Sequence, residues 1–241
     1  MLLHTTIIGE GDPVVFLHTG LQTGETDFTY QSQHFSQEYQ VFLPDLRGHG
    51  NSFSDDFSNL FEDSAHDLKE TLDYYQVDSA HIVGCSLGGL VGIFFARQYP
   101  GKVKSLSLSG VTPEKPSNWK QMHRQEVEMQ RQLLRNEEQV HYFNQLHNTN
   151  WREFIYLARN EEWYPFEHTM SLSDVCVPIL FLAGENNPHE VKGASVYGES
   201  DHVHVGLLPF AGHLVHQDQP ELYTKIVGQF IKKQEEEKRR P

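Results

Sequence analysis

Residues 81–98 constrain the fold more than any other part of the chain. His81-Ile82-Val83-Gly84 reads as a buried strand, Leu87 to Gln98 reads as a mostly apolar helix, and between them stands Gly84-Cys85-Ser86-Leu87-Gly88-Gly89. A strand that turns into a helix within two residues crowds its own backbone, and glycines on both sides of a serine relieve that crowding. The turn then exposes the Ser86 hydroxyl at its tip, and the N–H of Leu87, at a helix start, faces a developing oxyanion. Ser86 is therefore the candidate nucleophile and Leu87 the first candidate oxyanion donor.

The rest of the chain repeats this grammar of strand and helix. Leu2 to Ile8 and Val14 to His18 are strand-like runs separated by Gly9-Glu10-Gly11-Asp12-Pro13, which predicts a hairpin. Val41 to Pro44 is a third apolar run. Phe61, Ala65, Leu68, Leu72 and Tyr75 then form one helical stripe. Val103 to Ser109, Ile179 to Ala183 and Val203 to Leu208 predict further strands, and Leu222 to Ile231 a closing amphipathic helix. Such alternation predicts an α/β fold with a mostly parallel sheet covered on both faces. From about Pro113 to Leu172 the β-branched runs stop. Gln, Glu, Arg and His are broken there by thin apolar stripes, which predicts two to four inserted helices. The last ten residues, from Lys232, are almost wholly charged and are expected to fray into solvent.

With these elements in place the chain resembles the α/β-hydrolase fold family, in the branch whose helical cap is inserted after the strand that follows the nucleophile helix. The resemblance spans nearly all of the chain and implies a core made of residues 1–112 and 172–241 with a cap over 113–171. His18-Thr19-Gly20 matches the family's His-Gly segment, with Thr19 where a glycine is usual. The second oxyanion donor is expected from that loop, the N–H of Gly20 or Thr19, while His18 is structural. Asp45-Leu46-Arg47-Gly48-His49-Gly50-Asn51-Ser52 matches the loop that holds its neighbours in place. Leu208-Pro209-Phe210-Ala211-Gly212-His213 puts His213 where the family keeps its general base, with the Ser-before-His order that goes with it.

The third member departs from the pattern. The family's acid follows the glycine that ends the penultimate strand by three residues, and Gly184-Glu185-Asn186-Asn187 supplies Asn187 there. A carboxylate at this place fixes the useful imidazole tautomer and stabilises the imidazolium, and replacing it by Asn costs about 10⁴ in rate in a chymotrypsin-type site. Three resolutions stay open: Glu190 or Glu185 substitutes, the acid sits after the strand ending Ser107-Leu108-Ser109-Gly110, where Glu114 is the first carboxylate, or Asn187 itself is the partner. Asn187-Pro188-His189-Glu190 reads equally as a helix start, with Asn187 as cap and Glu190 closing a capping box.

Composition limits the chemistry. With 19 Lys and Arg against 33 Asp and Glu the net charge is −14, so the basic footprint that nucleic acid requires is missing, and no apolar run reaches the length of a bilayer span. Cys85 and Cys176 are the two cysteines, too few for a disulfide framework, and no basic segment leads into an apolar one at the start, so a cytoplasmic location is expected. The histidines show no metal-ligand spacing, and neither a metal nor a cofactor is expected. Trp119, Trp151, Phe154, Tyr156, Trp163, Tyr164 and Phe166 supply the cap with aromatic residues, some of which should wall an apolar pocket. The implied activity is serine-nucleophile hydrolysis of a small, largely apolar ester or acyl compound through an acyl-enzyme, with a small-molecule substrate as the expected partner. A cofactor-free lyase or proton-transfer enzyme, or a non-catalytic binding protein, is the alternative on the same fold.

Overall fold

In a computed structural model, which describes residues 1–238, seven strands form one sheet. The strands are β1 (Thr5–Ile8), β2 (Asp12–Leu17), β3 (Tyr39–Pro44), β4 (Ala80–Cys85), β5 (Val103–Ser109), β6 (Ile179–Gly184) and β7 (Val203–Leu208). Their order across the sheet is β1-β3-β2-β4-β5-β6-β7, parallel throughout except for β1, which runs antiparallel to β3. The helices are α1 (Gly24–Asp27), α2 (Thr29–Phe35), α3 (Leu60–Tyr74), α4 (Leu87–Gln98), α5 (Trp119–Arg135), α6 (Glu137–Leu146), α7 (Arg152–Leu157), α8 (Phe166–Thr169), α9 (Pro188–Tyr197), α10 (Val215–Asp218) and α11 (Pro220–Lys238). Among the described residues no helix is long and apolar enough to cross a membrane.

The central strands of the sheet are buried on both faces, and the sequence shows why. β4 and β6 have no exposed residue along their length, as a central parallel strand covered by helices requires. Phe61, Ala65, Leu68 and Leu72 of α3 face one layer of the core with Leu90, Val91 and Phe94 of α4. Tyr223, Val227, Phe230 and Ile231 of α11 cover the other with Phe16, Phe28 and Leu182. Fully burying side chains of this size stabilises a fold by roughly 1.5–3 kcal/mol each before chain entropy is subtracted.

Two expectations change. The opening hairpin does not form: β1 pairs with β3, and β2 lies on the far side of β3. Residues 9–11 therefore step over the start of β3, two interstrand spacings or roughly 10 Å, a distance that so short a segment can reach when extended. A glycine-rich turn signal is common to both connections. The charged C-terminal segment also does not fray at Lys232. It continues α11 to Lys238, with Gln234 buried and Lys232 bridged to Glu38 at 2.7 Å, and residues 239–241 lie outside the described ones. The four helices α5 to α8 lie between β5 and β6, beside the carboxyl ends of the strands where Ser86 emerges.

Candidate active site

Ser86 joins β4 to α4 with φ 53° and ψ −116°, a left-handed backbone that only a strongly held turn keeps. The glycines around it answer to close approach. A Cβ at Gly84 would strike the Gly88 carbonyl, and one at Gly88 would strike the Leu17 carbonyl, so α4 could not sit this close to β2 and β4 with any larger residue. The Ser86 N–H is bonded to the Ser109 carbonyl at 2.9 Å, which ties the turn to the end of β5. Leu87 opens α4, so its N–H lies in the first turn, where the helix supplies no carbonyl for it.

His213 follows β7 in the loop that leads to α10. Its Nδ1 lies 2.5 Å from Oε1 of Glu190, a residue of α9 that is 1% exposed, while the imidazole itself is half-open to a cavity. With Nδ1 committed to a carboxylate as donor, Nε2 carries the free lone pair. Burial pushes the imidazolium down, but the hydrogen bond and charge of Glu190, with the charge of Glu126, outweigh it and hold the His213 pKa above the usual histidine value. Asn187 meets Glu190 instead of His213. Its Nδ2 donates to Glu190 Oε1 at 2.6 Å, and its Oδ1 accepts the Glu190 N–H at 3.4 Å as the N-cap of α9. Only half of the capping box therefore forms: the Asn187 N–H goes to the Gly184 carbonyl, and the Glu190 carboxylate is left for His213.

The other acid candidates lie elsewhere. Glu185 is exposed and accepts the Phe210 N–H at 2.7 Å, and Glu114 pairs with Lys192 at 3.6 Å. In the His18 loop the Thr19 N–H is donated to Asp27 Oδ2 at 2.7 Å. That corrects the assignment of Thr19 as an oxyanion donor, because its amide already serves a carboxylate. Gly20 is left as the candidate, with the Phe154 ring packed against its Cα so closely that a Cβ would fall 2.7 Å from it. His18 accepts the Leu46 N–H at Nε2 and is wholly buried, and Asp45 accepts the N–H groups of Gly24 and Asn51, so both brace loops. Cys85 is buried, which drives its thiol pKa well above the ordinary value and leaves it without thiolate character.

Ser86, Leu87, Gly20, Asn187, Glu190 and His213 all line one cavity of about 680 Å³. Its far wall is made by α5, α7 and the segment that follows α7, where Trp119, Phe154, Trp163 and Tyr164 face it. Trp151 does not: it is 1% exposed and packed at a tilt against Phe143, with ring centroids 5.0 Å apart, in the interior of the inserted helices, and Tyr156 faces solvent.

Three residues of this site were not foreseen. Gly110 follows β5 with φ +66°, and a Cβ there would lie 2.9 Å from Ser86 N and 3.1 Å from His213 Cε1, so it keeps the seam between the two open. Asp27 is buried and also receives His216 Nε2 at 2.9 Å and Gln217 Nε2 at 2.8 Å. Burial raises its pKa, but His216, the Thr19 amide and the charge of His18 bring it down to about 2. Glu126 of α5 lines the cavity. Gly110 follows directly on a predicted strand and could have been suspected. Asp27 and Glu126 belong to no motif, and only the folded chain places them.

With this geometry in view, comparison with known proteins gives the family. Residues 12–154 match the family model for the α/β-hydrolase fold, and the chain belongs to that family. It is 31% identical over 113 residues to the uncharacterized hydrolase YcgS of Bacillus subtilis, covering 46% of this chain and 39% of that protein. Matches to the first curated relatives thus span about two fifths of those proteins' length. Esterase YbfF of Escherichia coli is 22% identical over 242 residues, which covers 91% of this chain and 92% of YbfF. Among solved structures, NosK from Streptomyces actuosus superposes with a TM-score of 0.81 at 26% identity, covering 94% of this chain and all of that one.

Proposed function

We propose that the protein is a serine hydrolase acting on a small, largely apolar ester or related acyl compound. The observation that carries this reading is the Glu190–His213 bond of 2.5 Å, made at the rim of a cavity that also holds Ser86. Family membership and the hydrolase and esterase names of YcgS and YbfF support it. Ser86 Oγ attacks the substrate's carbonyl carbon while Nε2 of His213 takes its proton, and Glu190 stabilises the imidazolium that forms. The oxygen that becomes negative accepts the N–H groups of Leu87 and Gly20. Collapse breaks the ester bond, and the departing alcohol leaves with the proton held by His213. Water, deprotonated by the same imidazole, then releases the acid and regenerates Ser86. Residues 113–171 act as the cap, and their aromatic wall favours an apolar acyl or alkyl group. A proton-transfer enzyme on the same fold would not acylate Ser86, and Glu190 beside His213 supplies the carboxylate that favours the hydrolytic reading.

Intact-mass analysis after treatment with a fluorophosphonate tests the proposal. One adduct on the parent and none on Ser86→Ala is the expected result. Folded parent protein that stays unlabelled at neutral and mildly alkaline pH would overturn it.

A further inference from the structure

The cavity wall opposite the catalytic loops carries a carboxylate that the proposed chemistry does not use. Glu126 sits on α5, among Met122, Met129 and Leu133 on the same lining face, with the Gln130 amide one turn along beside it. No Lys or Arg lines this cavity, and among the described residues no Lys or Arg forms an ion pair with Glu126. Its charge is felt by His213 across the cavity, and the second carboxylate of the lining is Glu190. Burial raises the Glu126 pKa, and only the His123 and His213 imidazoles and the Gln130 amide act against it. A carboxylate partly withdrawn from water with no Lys or Arg beside it is costly to ionise unless something else supplies charge. The aromatic rings that share the wall point to what that is. Trp163 and Tyr164 stand nearly perpendicular, at 84° with centroids 5.8 Å apart, and Trp119 lies 6.0 Å from Tyr164. Ring faces of this kind attract a cation, most strongly one that is weakly hydrated. A substrate carboxylate or phosphate would instead meet the like charges of Glu126 and Glu190, with no Lys or Arg in the lining to offset them.

We propose that Glu126 determines specificity by pairing with a cationic head on the substrate, an amine or quaternary ammonium group, held against the aromatic wall of Trp119, Trp163 and Tyr164. This rests on the reading above that the cavity receives an ester, and it deepens that reading by naming the charge of the part that does not react.

Two ester pairs that differ only in charge test it: butyrylcholine against 3,3-dimethylbutyl butyrate for the alcohol side, and 4-nitrophenyl 4-(trimethylammonio)butanoate against 4-nitrophenyl 5,5-dimethylhexanoate for the acyl side. The parent should favour the cationic member of at least one pair by about tenfold in kcat/KM, the size of one desolvated cation contact. The preference should shrink at high salt. It should fall to about one in Glu126→Gln and invert in Glu126→Lys. Binding of the same pairs to Ser86→Ala, measured by calorimetry, should show the same preference in Kd. Equal values within both pairs in the parent, or a preference that survives Glu126→Gln, would overturn the assignment. A Kd preference without any turnover by the parent would remove the esterase reading and keep Glu126 as the cation site, whereas turnover without charge preference would do the reverse.

Discussion

Glu190 Oε1 stands 2.5 Å from His213 Nδ1, and Asn187, three residues earlier, holds that same oxygen from its other side at 2.6 Å. In the proposed site the acid thus stands one helical turn further along, in α9, and Asn187, at the family's usual acid position, holds it. Glu190→Gln keeps the shape and removes the charge, and should lower kcat by about 10³–10⁴ with KM changed far less. Steady-state kinetics on a 4-nitrophenyl ester reads this. A Glu190→Gln enzyme within threefold of the parent would mean that the imidazolium is stabilised elsewhere.

Asn187→Asp separates the two residues. It restores the family's usual acid by sequence, but in this structure it places a second carboxylate against Glu190 and replaces a donated hydrogen bond by repulsion. Activity should fall severalfold, with the N-cap retained, while Asn187→Ala should also lose about 1 kcal/mol of stability with the cap. Thermal melts run beside the kinetics distinguish the two. An Asn187→Asp enzyme faster than the parent would count against Glu190 as the partner.

The pH profile follows from the His213 environment. In the proposed chemistry the neutral imidazole is the active form, and its pKa is raised, so kcat/KM should climb with pH through a midpoint above the ordinary histidine value of about 6.5. Removing the charge of Glu126 or Glu190 should move that midpoint down. The same shift has a stability consequence of definite sign: the pair's contribution is complete below the unfolded-state pKa and is lost as pH rises through the folded one. Profiles from pH 5 to 9 and melts over the same range test both.

Asp27 predicts the opposite slope. Its pKa is depressed to about 2 by His216 and the Thr19 amide against the cost of burial, so its contribution is present above the unfolded value near 3.9 and is lost as pH falls toward 2. Nearly two pKa units correspond to roughly 2–3 kcal/mol. Asp27→Asn should flatten the acid end of the stability curve between pH 4 and 2. It should also lower kcat more than it raises KM, because the Thr19 amide that anchors the Gly20 loop loses its carboxylate. Denaturant titrations at pH 3 and pH 7 read the first effect.

The sequence carries those parts of the site that local backbone geometry demands. The elbow around Ser86 needs glycines at fixed offsets, the strands need apolar runs, and His213 sits in a loop with its own residue pattern, so each leaves a trace within a few residues. The partner of His213 does not, because a carboxylate one helical turn along reaches the same point in space and Asn187 and Glu190 also read as an ordinary helix start. Which half of the capping box would form was decided by the position of His213, 23 residues away. The hairpin misreading has the same origin. A turn signal between β1 and β2 specifies a change of direction, but the pairing of β1 depends on β3, which arrives later in the chain.

Gly110 offers the sharpest test of the geometry around the nucleophile. It adopts φ +66°, a region in which an L side chain costs roughly 1–2 kcal/mol, and a methyl group there would press at 2.9 Å on the Ser86 amide and at 3.1 Å on His213 Cε1. Gly110→Ala should therefore lose more than its destabilisation explains. A folded variant, down by about 1–3 kcal/mol, should show kcat reduced at least 10²-fold, because displacement of about 1 Å between nucleophile and base is enough for that loss. Gly101 is the control, since a Cβ there meets nothing within 4 Å and Gly101→Ala should leave kcat as it was. Gly110→Ala with parental kcat would mean that Ser86 and His213 do not work across this seam.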